Sequence, residues 1–502
     1  MNICDWIERG AATAPDKAAL HFEGSVTTYF EFARSVEEYA DQLQIEFGVE
    51  RGDRVAFLGL NSPDFLFLMF ACARIGAMIA PLNWRLARTE LSVLIRATEP
   101  RVFIADPDMQ SGWTDTEEIN QCALVSMETG SDEPWRYFFK SVPGRNARKV
   151  DDCDNDPLLL VYTSGTSGQP KGALLSHNAI LANARNSQVM HQLDKDDHSL
   201  ISLPFFHVGG LNILTTPTFF VGGTVSLQRT FDPEAMLTAM TDHHPTRVPI
   251  VSAQMPPILS LPGWSAARFP KLKSVTTGAS PVSPRVYSSW RDKDVTVLQV
   301  YGATETCPIA IATSMEDVAP DIRSTGREAA GCEVRIVDDD GIDVGNGEPG
   351  EILIRGDNVM TGYWRNDAAT EDVIRDGWYS TGDLGYKDEQ GYYYVVDRKK
   401  DLIISGGENI FPGEIEKLLL QINEISDVAV IGKPDDRWGE VPVAVVALRN
   451  GCDKSSSDIL EALRGHLGQF KIPKAVIFVE SFPRNANGKI QKFILREQLF
   501  RE

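Results

Sequence analysis

The chain has no cysteine pair. Its seven cysteines (Cys4, Cys72, Cys122, Cys153, Cys307, Cys332 and Cys452) are an odd number scattered through 502 residues, without a Cys-x-x-Cys. That pattern suggests reduced thiols in the cytoplasm. Basic residues are in deficit: 49 Lys and Arg against 70 Asp and Glu leave a net charge of −21. So acidic a chain makes a poor partner for nucleic acid or an anionic membrane surface. Any anionic ligand must be held by local cations and loop dipoles. Long apolar runs are also missing. The most apolar window, Phe65 to Leu82, is broken by Arg74 and Gly76. It reads as a buried helix followed by a strand, so no integral membrane segment is expected. The opening residues, Met1-Asn2-Ile3-Cys4-Asp5, lack the basic stretch and apolar core of a secretory signal. No internal repeat or low-complexity segment stands out.

What is present is an ordinary globular composition, 43% hydrophobic and 24% charged, on a chain longer than one core usually supports. Two or more domains are expected. Up to about Asp156 the patterns alternate: a helix over Ala33–Phe47, a strand at Arg54–Leu58, a helix over Ser62–Ile75, a strand at Val102–Ala105. Such alternation predicts a layered α/β architecture.

One stretch is chemically dense. Tyr162-Thr163-Ser164-Gly165-Thr166-Ser167-Gly168-Gln169-Pro170-Lys171-Gly172 follows the apolar run Leu158–Val161, a predicted strand. A helix-forming run, Ala179 to Met190, comes after it, with Ser176 and Asn178 as candidate caps. The stretch therefore reads as a strand-to-helix loop. Glycines let backbone approach a ligand, and exposed N–H groups, hydroxyls and an ammonium suit a polyphosphate. It is not a Walker A loop, because Lys171 stands between Pro170 and Gly172.

This segment resembles the signature loop of the adenylate-forming superfamily, which includes acyl-CoA synthetases, luciferase and peptide-synthetase adenylation domains. Further motifs follow in the family's order, from Tyr162 to Lys489. The resemblance implies an α/β fold with a large N-terminal domain of layered sheets and helices, residues 1–399, and a small mobile α+β C-terminal domain, residues 400–502. It also implies that Thr163, Ser164, Gly165, Thr166, Ser167, Gly168 and Lys171 cradle the ATP phosphates.

In Leu203-Pro204-Phe205-Phe206-His207-Val208-Gly209-Gly210, a lone histidine among apolar residues is ordinarily a packed side chain. The resemblance places His207 beside the substrate carboxylate, where amino-acid-activating relatives carry aspartate. It implies an acid pocket of His207, Val208, Gly209, Asn212, Thr277 and Ala303, with the glycines after His207 leaving room for a substrate tail. Gly278, Ala279 and Ser280 match the adenine-side segment, commonly Gly-Gly-Ala-Pro in the family. Thr277 departs from it, and its branched side chain is expected to narrow the pocket floor.

Tyr301-Gly302-Ala303-Thr304-Glu305-Thr306 follows a predicted strand at Val297–Val300. In the family the tyrosine stacks on adenine, the threonine contacts the α-phosphate and the glutamate binds Mg²⁺. An aromatic face and a hard carboxylate oxygen suit those tasks. Thr163 is the second residue implied for the metal. Asp383, at the end of Trp378-Tyr379-Ser380-Thr381-Gly382-Asp383, matches the aspartate that grips the ribose hydroxyls, and Arg398 a ribose or phosphate contact. Lys400, in the charged run Asp397–Asp401, falls at the family's hinge. Ser405, Gly406, Gly407 and Glu408 match the turn near the pantetheine of CoA.

The small domain reads as a helix from Pro412 to Leu420, strands at Val428–Ile431 and Val441–Leu448, and a capping box at Asp458–Glu461 opening another helix. Lys489, after the Asn487-Gly488 turn, matches the catalytic lysine.

The implied reaction is ATP-dependent acid–CoA ligation, with ATP, Mg²⁺ and CoA. Acyl-AMP and pyrophosphate form first, through Lys489, Thr163, Glu305 and His207; CoA then takes the acyl group. The pocket residues are small or apolar and fit a hydrophobic acid, with a medium- or long-chain fatty acid the favoured expectation. Aryl or hydroxycinnamic acids of the feruloyl or coumaroyl type are the alternative. An adenylating enzyme that does not use CoA, or a non-catalytic nucleotide-binding relative, are the competing classes. A homodimer is a compatible assembly.

Overall fold

The computed structural model describes residues 1–111, 113, 122–126, 136–137, 147–163, 170–278, 282–405, 408–435, 438–464, 466–467, 469, 471–484 and 488–500. The chain forms two compact units: residues 1–334 with 354–379, and residues 335–353 with 380–502. The architecture is α/β, a large N-terminal body followed by a smaller C-terminal one.

The apolar window Phe65–Leu82 shows how sequence becomes layer in the first unit. Ser62 accepts a hydrogen bond from the Phe65 N–H and Pro63 opens the helix Pro63–Ile75. Phe65 to Ala73 are all buried, so the helix is a core element, not a surface one. After Gly76 the chain enters the fully buried strand Met78–Leu82. That strand lies between Arg54–Leu58 and Pro157–Thr163 in an eight-stranded sheet, whose edge on the side of interest runs Pro157–Thr163, Lys171–Ser176, Gly362–Tyr363. A second sheet of the same unit carries parallel strands Arg247–Pro249, Ser274–Gly278 and Thr296–Tyr301 side by side.

Several expectations need correction. The loop after Thr163 does not connect a strand to a helix. Pro157–Thr163 and Lys171–Ser176 pair antiparallel, with Tyr162 opposite Gly172 and Thr163 opposite Lys171. The helix starts only at His177, capped by Ser176. A glycine-rich run preceding a capped helix suggested one junction; the short apolar run Ala173–Leu175 belongs to an extra strand between them. Among the described residues, the helix His177–His191 follows the strand Lys171–Ser176 and not the loop itself. The helix expected over Ala33–Phe47 starts earlier, at Tyr29, because Thr28 and Glu31 form a capping box, and it runs to Asp41 before a wider turn over Gln42–Glu46.

In the second unit, antiparallel strands Ile425–Asp435 and Gly439–Leu448 form the spine of a sheet extended by Ile403–Ser405, Glu408–Ile410 and Ala475–Phe478. Helices Pro412–Leu419 and Ser456–Leu463 bury Ile415, Leu419, Ile459 and Leu463 against it. The capping box of the second helix is Ser455 with Asp458, not Asp458 with Glu461. Serine's short hydroxyl reaches the third N–H of the turn, and aspartate does the return reach. All seven cysteines are free thiols, and no helix of the described residues is long and apolar enough to cross a membrane.

Candidate active site

In the first unit a row of side chains runs across the sheet edge. Thr163 and Lys171 face each other where the two strands part, with the Thr163 hydroxyl 3.4 Å from the Lys171 carbonyl oxygen. The Lys171 ammonium lies 5.1 Å from the centre of the Tyr363 ring. The Tyr363 hydroxyl donates to Glu305 Oε1 at 2.8 Å. Glu305 is only 7% exposed, so this donor satisfies one of its oxygens in a place poor in water. Tyr363 itself, held beside that carboxylate and buried, has its hydroxyl pKa driven up.

The loop that presents Glu305 is fastened from behind by amides. Asn358 donates from Nδ2 to the Thr306 carbonyl at 2.7 Å and to the Ile309 carbonyl at 3.2 Å. Asn183 accepts the Ile309 N–H at 2.9 Å, and Asn186 donates to the Ile309 carbonyl at 3.1 Å. At the front of the loop, Gly302 is required by proximity: a Cβ there would fall 1.7 Å from the Pro308 carbonyl oxygen. Tyr301, Ala303 and Thr304 are half-buried, and Gly302 is exposed. Gly278 sits opposite Val300 on the neighbouring strand.

His207 caps the short helix Val208–Asn212, its Nδ1 accepting the Gly209 N–H at 3.0 Å. That bond places the ring proton on Nε2, and burial pushes the pKa down to about 4. His207 is therefore a neutral donor at neutral pH. The rest of the expected acid pocket is more varied. Val208 and Gly209 are buried. Asn212 is wholly buried and committed to structure, its Oδ1 accepting from Thr216 at 3.0 Å and its Nδ2 lying 3.3 Å from Cys307 Sγ. That last contact ties the His207 helix to the Glu305 loop. Thr277 is 1% exposed with no hydrogen-bond partner for its hydroxyl among the described residues. Gly210 packs closely on the preceding turn, where a Cβ would meet the Pro204 carbonyl oxygen at 2.3 Å.

Within the second unit, Asp383 and Arg398 stand opposite one another on paired strands, with Arg398 Nε 2.6 Å from Asp383 Oδ1. Lys400 lies in the turn Lys399–Asp401 with an exposed side chain. Its neighbour Lys399 is no solvated charge: it bridges Asp339 at 2.9 Å and Glu351 at 3.0 Å. Lys489 has an exposed side chain, yet protein atoms crowd its ammonium. Lost hydration, then the Arg398 guanidinium, hold its pKa below the usual lysine value, against the pull of Asp383 and Asp401. Ser405 ends a strand paired with Glu408. Ser164, Gly165, Thr166, Ser167, Gly168, Ala279, Ser280, Gly406, Gly407 and the Glu408 side chain lie outside the described residues.

The donor set fits Mg²⁺. A hard divalent cation takes oxygens, and Glu305 retains Oε2 with no hydrogen-bond partner among the described residues. The strand begun by Lys171 packs on the turn that carries Glu305. Sequence reasoning missed Tyr363, Asn183, Asn186 and Asn358. Two signals were available: the Gly362-Tyr363-Trp364 run after a turn, and two asparagines three apart on an otherwise apolar helix face.

Residues 7–364 match the AMP-binding enzyme family and residues 414–489 the AMP-binding enzyme C-terminal domain. The indoleacetate–CoA ligase of Aromatoleum aromaticum is 41% identical, over 100% of this chain and 99% of that protein. A feruloyl-CoA synthase of Amycolatopsis sp is 37% identical, over 99% of each. Among solved structures, the o-succinylbenzoate–CoA synthetase of Bacillus subtilis in complex with ATP and magnesium ion is 29% identical, with a TM-score of 0.84 and 98% of each chain covered.

Proposed function

The chain belongs to the AMP-binding enzyme family, and from that membership we propose that it is an ATP-dependent acid–CoA ligase acting on a hydrophobic, aromatic carboxylic acid. The observation that supports the reading is the row Thr163, Lys171, Tyr363, Glu305, which holds a cation and a buried carboxylate along one sheet edge. A fatty acid was the first expectation from sequence. The aromatic class moves ahead of it because relatives matched over their whole length at 41% and 37% identity are named for indoleacetate and ferulate.

In the first half-reaction the acid's carboxylate oxygen attacks the α-phosphorus of ATP, and the bond to pyrophosphate breaks. Two anions must meet, so charge neutralisation is the main demand. Lys171 and the loop hydroxyls hold the triphosphate, and Lys489 meets the carboxylate and α-phosphate. Glu305 and Thr163 would hold Mg²⁺, which when bound supplies positive charge to the phosphate oxygens. His207, neutral with a proton on Nε2, donates beside the acid carboxylate without adding charge. Asp383, fixed by Arg398, accepts from the ribose hydroxyls.

In the second half-reaction the CoA sulfur attacks the acyl carbon and AMP leaves. That step needs Lys489 withdrawn, and we place the swivel at Lys400, between residues 1–399 and 400–502, with Ser405 to Glu408 toward the CoA arm.

The test is pyrophosphate release from the purified chain over a panel: indole-3-acetate, ferulate, benzoate, and medium- and long-chain fatty acids, each with and without CoA. The expected result is fastest release with an aromatic acid and CoA-dependent AMP release. Release with fatty acids alone would overturn the substrate class, and AMP release indifferent to CoA would overturn the ligase.

A further inference from the structure

Tyr363 belongs to none of the motifs that carried the functional reading, yet it touches two of its parts at once. It sits on a two-residue strand, Gly362–Tyr363, paired antiparallel with Leu174 and Ala173 of the strand begun by Lys171. The Trp364 N–H donates to the Gly172 carbonyl at 2.7 Å and the Thr361 N–H to the Leu174 carbonyl at 3.0 Å, locking the register on both sides. Its own N–H donates to Thr370 Oγ1 at 2.8 Å. Gly362 makes the placement available: its φ of +152° is a glycine conformation, and a Cβ there would approach Thr370 Cγ2 to 2.9 Å. The tyrosine is thus a rigid, buried side chain with its ring under the Lys171 ammonium, 5.1 Å away, and its hydroxyl 2.8 Å from Glu305 Oε1.

Resting on the assignment of Glu305 to the divalent cation, we propose that Tyr363 is a positioning residue for both halves of the nucleotide's charge: its hydroxyl orients the Glu305 carboxylate toward the cation, and its ring face holds Lys171 for the triphosphate. A neutral hydroxyl is suited to the first task. It fixes one oxygen and leaves the carboxylate's full negative charge for the metal, where a lysine or arginine in its place would neutralise it. The electron-rich face suits the second, because it restrains an ammonium without pairing it off with an anion that would compete with phosphate. One ring therefore couples where the metal sits to where the phosphate cation sits.

The two tasks separate by mutation. Tyr363→Phe keeps the face and removes the hydroxyl; Tyr363→Leu removes both. Calorimetric ATP binding to the full chain, in EDTA and across a Mg²⁺ titration, reads them apart, with thermal melting as the control for folding. For Tyr363→Phe the expected result is about 10–100-fold weaker Mg²⁺ dependence, with metal-free ATP affinity within about twofold of wild type and a modestly lowered melt from the Glu305 oxygen left without its donor. Tyr363→Leu is expected also to weaken metal-free ATP binding, by a few-fold. A Tyr363→Phe protein that matches wild type across the Mg²⁺ titration overturns the orienting role. Equal losses with and without metal in that variant make the residue structural only and overturn it as well. Wild-type binding of ATP that ignores Mg²⁺ altogether is a different failure, since it removes the metal assignment on which this inference stands.

Discussion

Lys489 is the residue on which the chemistry leans hardest. Its ammonium shares its surroundings with Arg398, Lys400, Asp383 and Asp401, an environment of balanced charge in which its proton is held less firmly than in water. In the reaction proposed above Lys489 is the cation that meets carboxylate and phosphate, and alanine in its place removes that charge. Lys489→Ala is expected to slow acyl-AMP formation by about 10²–10³ while thioester formation from supplied acyl-AMP and CoA stays near wild type. Single-turnover measurements of each half-reaction check this, and equal losses in both would end the division of labour. Glu305 is different in kind: it is buried, and its geometry is set by a neighbour that sequence reading did not name.

Among the elements, the Glu305 loop shows where sequence legibility stops. The strand before Tyr301 was readable from its apolar run, while the roles expected of Tyr301, Thr304 and Glu305 came from the family resemblance. The amides that hold it were not readable, because Asn183, Asn186 and Asn358 come from a helix and a turn more than fifty residues from the loop. Long-range hydrogen bonding leaves no periodic trace. The phosphate loop failed for the opposite reason. Its local signals were strong, but two short strands and a capped helix follow one another so closely that the middle strand was absorbed into the loop. The two-residue strand at Tyr363 is too short for any alternation to reveal. At this scale, Asn358→Ala leaves the buried Thr306 carbonyl without its 2.7 Å donor. A loss of about 1–3 kcal/mol in unfolding free energy is expected, with a larger fall in pyrophosphate release than in stability, read by denaturant titration beside the assay.

For the whole molecule, the histidines set a limit on acid tolerance. Burial pushes His177, His198 and His207 down to about 4 and His191 to about 3. In the unfolded chain the same rings titrate near 6.5. Between those values the unfolded state binds more protons, so stability must fall as pH drops. Above about pH 7 these groups exert no pull. Calorimetry should show a thermal midpoint that is flat from pH 7 to 8 and declines progressively from about 6.5 toward 4; a flat profile across that lower window would contradict the burial of these rings. At the same scale, the presence of more than one body was legible from length and the α/β layering from alternation, while the smaller C-terminal body was expected from the family resemblance. The detail of where strands cross from one unit to the other was not.

The amide clamp behind Glu305 has a consequence for an enzyme so rich in negative charge. Bonds from neutral asparagines carry no net charge for counter-ions to screen. Added salt is therefore expected to loosen the proposed hold on a triphosphate without unseating the amide-held loop behind it.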